Sequence, residues 1–544
     1  MKKFLSLMLA AVMCFALLAG CGGNSGNSGN SGNSGNSGNA GNNQTDTDNK
    51  GGSTADNSSL VIRANGDPMS FNPDLQGDDN LYYPAMNMFH RLTCLDCTKN
   101  AVPEAAESWD VSEDGLAITF HLKDGLKWSD GEALDAEDVK YTFDYIKEHS
   151  DCYFSSNMSI VDSIEVVDPL TVTFHMNTAD VSFVSLIGWY ATFILPEHVF
   201  NNGQAWADNP ASTTTPVTSG PYKFESYTQG SNIILVANED YVDGAPKIQK
   251  LIYSIIPDDA TAMQALLNGE VDYVEMVPDA YVDEFLANED LRLSLDVYPS
   301  PYRIIFNMED EICGDLAVRQ AIALCINREE ISEKAYGGIM PPEYSAYPSL
   351  SEWCANTTDT YPKQNIEEAK KVLEAAGYTQ DADGYYVRGI EWDVFEGMQD
   401  MANLIIASCK EAGIEIKMIL SEYNAWAQKV GQDRDFMMES QGGFMGPDPA
   451  ALTTRLGTGG SSNYGNWSNA EFDRLCAEGA ATGDQGKRAE LYKEAQKLIV
   501  EELPMINVVG FASYQGMDAR LTDMPIDGAG KWSWHDFSHA YFTE

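Results

Sequence analysis

Two hydrophobic rhythms alternate along the chain and assign it to the mixed α/β class. The run 251–256 (Leu251 to Ile256) reads as a buried strand, 260–267 as a helix stopped by Gly269, and 271–274 as a second strand. Such a strand-helix-strand unit suits parallel pairing. Further on, Asn365 stands where a helix cap is expected. The apolar residues Ile366, Ala369, Val372, Leu373 and Ala376 then fall on one helical face, and Gly377 ends it. Helices are also expected over 401–411 and over 488–502, the latter ending before Pro504. Asp114-Gly115 makes a tight turn between 109–111 and the alternating Ile118, Phe120 and Leu122, which predicts a hairpin. Trp128-Ser129-Asp130-Gly131 is another turn, and Asp135 caps a helix carrying Val139, Phe143 and Tyr145. Strand and helix alternate in both halves of the chain, which points to α/β lobes instead of a single barrel.

The N-terminus follows a different pattern. Lys2 and Lys3 precede an apolar run from Phe4 to about Leu18, closed by Leu18-Ala19-Gly20-Cys21. This is the layout of a bacterial lipoprotein signal: residues 1–20 are removed and the Cys21 thiol carries lipid. Residues 22–59 are repeats of Asn-Ser-Gly running into a polar stretch. Such residues bury too little apolar surface to offset the entropy of ordering them, so 21–59 is expected to be a tether. About 38 residues at about 5–6 Å × √n give a span of about 35 Å, beside a radius of gyration of about 23 Å for a body of about 485 residues. The working part begins near Leu60.

Composition narrows the partners. With 44% hydrophobic residues the body can bury a large core, and its length suggests two or three lobes. No second apolar run reaches membrane-span length. The formal charge of −48 becomes −50 once Lys2 and Lys3 leave with the signal. That field opposes nucleic acid and anionic lipid, so the membrane is met only through the anchor. Of ten cysteines, Cys14 and Cys21 belong to the signal and anchor, leaving eight. Cys94-Leu95-Asp96-Cys97 lacks a second pair at metal spacing, and a structural disulfide or buried thiols are the readings left open.

Ala101-Val102-Pro103-Glu104-Ala105-Ala106-Glu107-Ser108-Trp109, Asp114-Gly115-Leu116 and Thr119-Phe120-His121-Leu122-Lys123 resemble the family 5 extracellular solute-binding proteins, the oligopeptide-binding type that serves ABC importers. The resemblance continues through Trp128 to Gly131, Ala136-Glu137-Asp138-Val139, Ser219-Gly220-Pro221-Tyr222 and Asn268-Gly269-Glu270-Val271-Asp272. Val318 to Ile322 with Asn327-Arg328, and Glu368-Ala369-Lys370 with Ala376-Gly377-Tyr378, extend it over nearly everything after Leu60.

This resemblance implies a periplasmic-binding-protein-like type II fold, with two main lobes, a hinge and an appended third lobe. Lobe I would be 60–100, 217–296 and 504–544, lobe II 101–216, and lobe III 297–503. Ligand would lie between lobes I and III, closing by hinge rotation, and ABC permease subunits would sense the closed form. A monomer with no cofactor is implied, held at the extracellular face of the cytoplasmic membrane. Peptide is the first expected ligand and oligosaccharide the alternative, with a metal chelate such as nickel or a peptide pheromone behind them.

The resemblance also suggests ligand-facing residues. Trp426 matches a position where relatives set a tryptophan against the ligand, a core Trp being the other reading. Gln441-Gly442-Gly443-Phe444-Met445 matches the strand whose backbone pairs with an extended peptide, and its glycines would allow close approach. Tyr82 and Tyr83 fall in a cleft-lining loop of lobe I, either as stacking platforms or as half-buried packing. Tyr302, Tyr464 and Trp467 complete the set. Relatives that grip an α-amine place an aspartate three residues before an Asp-Pro pair, and here Met445 occupies that position. Without that carboxylate a charge-assisted bond to an ammonium is missing. An oligosaccharide would instead need aromatic platforms and neutral polar groups, which Trp426, Trp467, Tyr82 and Gln441 could supply. Asp448-Pro449 reads as a helix start with Asp448 as N-cap.

Nothing in the sequence points to an enzyme. HExxH, the GxSxG elbow and the P-loop are absent, and none of the seven histidines stands at zinc spacing. His535 and His539 would share a face if helical, but Trp532-Ser533-Trp534 and Phe537 suggest an end strand and loop with solvated histidines.

Overall fold

The computed structural model describes residues 58–544 apart from Gln76, Glu396, 529–532 and Trp534. The signal, Cys21 and the tether up to residue 57 lie outside the described residues. Ten strands form one sheet: β1 Ser59–Ala64, β2 Tyr222–Thr228, β3 Asn232–Ala237, β4 Lys250–Ile255 and β5 Tyr273–Val277 on one side. They continue into β6 Leu291–Phe306, β7 Val387–Phe395, β8 Ile414–Ser421, β9 Met438–Gln441 and β10 Met505–Asp518. The spatial order is β8-β7-β9-β6-β10-β5-β1-β4-β3-β2.

The strand-helix-strand unit around 251–277 is present as β4, helix α1 Asp259–Leu267 and β5. The two strands run parallel but do not touch, because β1 lies between them and is parallel to both. Asp258 caps α1 through the Thr261 N–H, and Gly269 follows at φ +70°. The predicted hairpin is 106–111 paired antiparallel with 117–122, turning at Gly115 with φ +68°. It belongs to a separate four-stranded sheet. Phe120, Phe143 and Phe174 meet edge to face there, with centroids 5.2–5.6 Å apart between sheet and helix. The Asn365-capped helix, α2 Ile366–Ala375, and the helix α3 Gln399–Glu411 form where the apolar spacing placed them. The last long helix begins three residues before the expected Arg488, at Gln485, because Asp484 accepts from the Lys487 N–H and caps it.

β6 and β10, 16 and 14 residues long, are the only strands reaching from one half of the large sheet to the other among the described residues. Their ladder runs from Leu291↔Asp518 to Ile305↔Met505 and shifts register between Val297 and Pro301 and again between Tyr302 and Arg303. Pro299 and Pro301 cannot donate to a ladder, so the sequence itself breaks the pairing there. On either side of that break lie two large cores. One holds Leu60, Leu251, Tyr253, Phe120 and Phe143, and the other Ile304, Phe306, Trp392, Ile405 and Ile506. No helix among the described residues is long and apolar enough to cross a membrane.

Candidate functional site

On the β9 side, the backbone leaving the sheet is organised by Arg303. In the run Tyr302-Arg303-Ile304-Ile305-Phe306 it is the one charge in a buried strand, and it is 1% exposed. Its Nε and Nη2 donate to Gln441 Oε1 at 3.1 and 2.6 Å, and Nη1 donates to the carbonyls of Gly443 at 3.1 Å and Pro301 at 3.3 Å. Nη1 also reaches Met445 Sδ at 3.2 Å. The Met445 N–H donates to Pro299 O at 2.9 Å, fastening this segment to β6. Gly443 has φ +115°, and a Cβ on Gly442 would come within 2.9 Å of the Tyr302 ring. Both glycines are therefore required, one by conformation and one by contact. Arg455 donates to the Phe444 carbonyl. Behind this segment Glu439 is fully buried, and neither carboxylate oxygen has a hydrogen-bond partner among the described residues. Burial pushes its pKa up to about 8, opposed by the attraction of Arg303.

The facing wall comes from the first core. Tyr82 and Tyr83 lie on the helix 79–88, not in a loop. Tyr82, 3% exposed, stacks on Tyr190 at 4.1 Å, and Tyr83 stacks on His535 at 4.0 Å. The Tyr190 hydroxyl donates to Asp79 at 3.0 Å, and His535 Nε2 lies 3.3 Å from Glu275. Lys99, buried, sits over the Tyr298 ring at 5.1 Å, and burial pushes its pKa down to about 8 against the pull of Asp296. Asp296 in turn accepts from Gln515 at 3.0 Å. Phe511 on β10 links Tyr298 and Tyr302 at 5.6 and 6.2 Å, so aromatic contact is continuous across β6 and β10. The two walls touch where Trp189 meets Phe444, centroids 4.6 Å apart, and where the Val181 N–H donates to Ala480 O at 2.9 Å.

Of the residues singled out in the sequence, Tyr302, Gln441, Gly443, Phe444 and Met445 come together around Arg303. Trp426 and Tyr464 sit apart, each 6% exposed, in a small core with Val430 and Phe436, the Trp426 ring 4.9 Å from Phe395. Trp467 is buried and donates through Nε1 to Glu502 at 2.7 Å. Tyr82, Trp426, Tyr464 and Trp467 are thus not open platforms, because neighbouring rings or a carboxylate already cover them.

Two further expectations are corrected. Asp448 is not an N-cap: the helix begins at Ala451. Asp448 Oδ1 instead accepts from the Ala450 N–H at 2.9 Å and from Arg488 at 2.7 Å, in a buried ion pair. His535 is buried, not solvated, and no helix joins it to His539. Of the two readings left open for Cys94 and Cys97, the structure has free thiols, and burial pushes Cys97 up to about 11. Among the described residues no three His, Cys, Asp or Glu side chains converge to hold a metal ion. Sequence pattern gave no signal for Trp189, Glu275 or Lys99. Arg303 was detectable as a lone charge inside a β-branched and aromatic run.

The comparisons with known proteins agree with this architecture. Residues 100–463 match the family model described as bacterial extracellular solute-binding proteins, family 5 middle. The di/tripeptide-binding protein 1 of Pseudomonas aeruginosa is 26% identical over 515 residues, covering 88% of this chain and 94% of that protein. The oligopeptide-binding protein AppA of Bacillus subtilis is 27% identical over 469 residues, covering 82% and 84%. Among solved structures, the ABC transporter substrate-binding protein CtaP of Listeria monocytogenes superposes with a TM-score of 0.77 at 26% identity, covering 89% of this chain and 99% of that one. Proteins of this kind are transport receptors and not enzymes, found outside the cytoplasmic membrane or in the periplasm. The chain belongs to family 5 of the bacterial extracellular solute-binding proteins.

Proposed function

We propose that the protein is a lipid-anchored receptor that binds a peptide between lobes I and III and presents it to an ABC importer by closing. The observation that carries this reading is the Gln441–Met445 segment, whose glycine-bearing backbone Arg303 holds beside the hinge, opposite an aromatic and charged wall. An extended peptide could add to that backbone as a strand would. The peptide-binding names of the two relatives favour the same cargo. The coverage of Tyr82, Trp426 and Trp467 takes from an oligosaccharide the platforms it would need. Met445 lies against a guanidinium, so that position repels an ammonium, and the ligand's amino group is held elsewhere or blocked. The lobes are 60–100, 217–296 and 504–544 for lobe I, 101–216 for lobe II and 297–503 for lobe III, with Pro299 to Pro301 as the hinge. The body works as a monomer, tethered through Cys21.

Mass spectrometry of ligand carried through native purification tests the cargo. Recovery of peptides supports the reading, and recovery of glycans alone overturns it. Cys21→Ala should move the protein from the membrane fraction to the soluble one, and persistent membrane attachment would count against the anchor.

A further inference from the structure

Residues 101–216, the proposed lobe II, share a core with lobe I but not with lobe III. The first core joins Leu60 and Tyr253 to Phe120, Phe143 and Phe183, and the second takes no residue from 101–216. Lobe II is therefore packed as one body with lobe I, and whatever it touches in lobe III it touches across a seam. Three places reach the turn 479–483, which joins the helices Ala470–Ala480 and Gln485–Glu502. The Val181 N–H donates to Ala480 O at 2.9 Å. The hairpin turn comes so near that a Cβ on Gly115 would stand 3.0 Å from Ala481 O, a demand for glycine separate from its φ of +68°. A Cβ on Gly483 would stand 3.6 Å from that of Val111. The fourth contact is at the site itself, because Trp189, 4.6 Å from Phe444, also lies within 101–216.

We propose that lobe II is a clasp: in the closed receptor it fastens onto the 479–483 turn and onto Phe444, and peptide enters or leaves only after those contacts open. This inference rests on the reading of the site as a peptide cleft between lobes that close. Its own content is that lobe II, and not the lobe I wall alone, holds the closed form. Rotation about Pro299 to Pro301 parts the contacts, because the bodies on either side are otherwise joined through β6 and β10. None of the four contacts draws on a shared core, so opening exposes no packed interior. One backbone hydrogen bond and one ring pair are each weak, so the clasp is reversible, yet both must break before release and so slow it.

The 3.6 Å separation at Gly483 and Val111 lies within the span of a disulfide, and Gly483 is exposed and not at positive φ. Val111→Cys/Gly483→Cys in the intact protein should therefore lock the clasp on oxidation, with the bond assigned by peptide mapping and the parent treated alike as control for the native thiols. Stripped of bound material, the oxidised variant should take up none of a synthetic pool of dipeptides to nonapeptides, and dithiothreitol should restore uptake to the parent's level. Loaded before oxidation, it should release peptide about tenfold or more slowly than when reduced. Equal uptake by the oxidised and reduced forms, while the parent binds, overturns the clasp and leaves the receptor reading standing. A parent that binds no peptide contradicts the receptor reading, and X-ray scattering without peptide then judges the clasp. The oxidised variant should have a smaller radius of gyration than the reduced one, and equal radii overturn the proposal. A folded variant that forms no such bond overturns it as well. Gly483→Glu is the second variant, should the pair fail to fold: bulk against Val111 should speed peptide release about threefold or more, and unchanged release overturns the proposal.

Discussion

The two walls that meet at Trp189 and Phe444 are built on opposite principles. The wall from the first core is made of side chains: Tyr82 on Tyr190, Tyr83 on His535, His535 on Glu275, and Lys99 over Tyr298. The wall from the second core is made of backbone, the Gln441–Met445 segment, held chiefly by Arg303, with Arg455 on the Phe444 carbonyl and the Met445 N–H on Pro299 O. A wall of side chains can be retuned one residue at a time with local effect. A wall of backbone keeps its shape only while its few anchors remain, Arg303 the foremost, so substitutions should act very differently on the two.

The sharpest way to break this contrast is Arg303→Met. Removing the guanidinium strands Gln441 Oε1 and two carbonyls in a partly buried site and deprives Glu439 of its attracting charge. The expected loss is about 3–5 kcal/mol, the scale for removing one partner of a buried charge network, read by denaturant unfolding together with loss of ligand binding. A loss under about 1 kcal/mol would mean that the segment holds its own shape. Asp448→Ala should cost a similar 3–5 kcal/mol, because it leaves Arg488 buried without its carboxylate, yet ligand affinity should stay unchanged. An effect of only about 1 kcal/mol is what a simple helix cap would give.

Glu439 sharpens the comparison through pH. Its folded pKa of about 8 lies above the ordinary value of 4.5. Between those values the folded protein holds a proton that the unfolded chain has released. Stability therefore falls as pH rises from about 4.5 to about 8, and the cost is absent below that window. Relative to the parent, Glu439→Gln should be near neutral at pH 4.5 and more stable by an order of a few kcal/mol at pH 8–9. Parallel stability curves for the two proteins would contradict the assignment. The smallest effect is expected where the walls touch. A double-mutant cycle of Trp189→Ala and Phe444→Ala should give a coupling of about 0.5–1.5 kcal/mol, and zero coupling would show that the rings meet without interacting.

What the sequence made legible follows from how local each signal is. The hairpin at Gly115, the Asn365 cap and the helix of 399–411 depend on neighbours within a few residues, and they form where the pattern places them. The insertion of β1 between β4 and β5 depends on a strand almost 200 residues away in the chain, which no window over 251–277 can contain. The same division runs through the site. Gly442 and Gly443 are readable because missing side chains mark close approach. Whether Trp426 faces a ligand or a core depends on Phe395, Phe436 and Tyr464, which only the fold assembles. Asp448 shows how a local signal misleads: Asp-Pro resembles a helix start, but Arg488 claims the carboxylate from forty residues away.

Calorimetric and thermal-shift titration of the intact body with defined peptide pools tests the central claim most directly. A peptide receptor should show saturable binding without cleavage and, at a ligand concentration of about 100 times Kd, a gain of about 2.7 kcal/mol in folded-state stability. Arg303→Met should abolish that gain. Absence of any response to peptide, alongside a saturable response to glycan or release of cleaved product, would contradict the account.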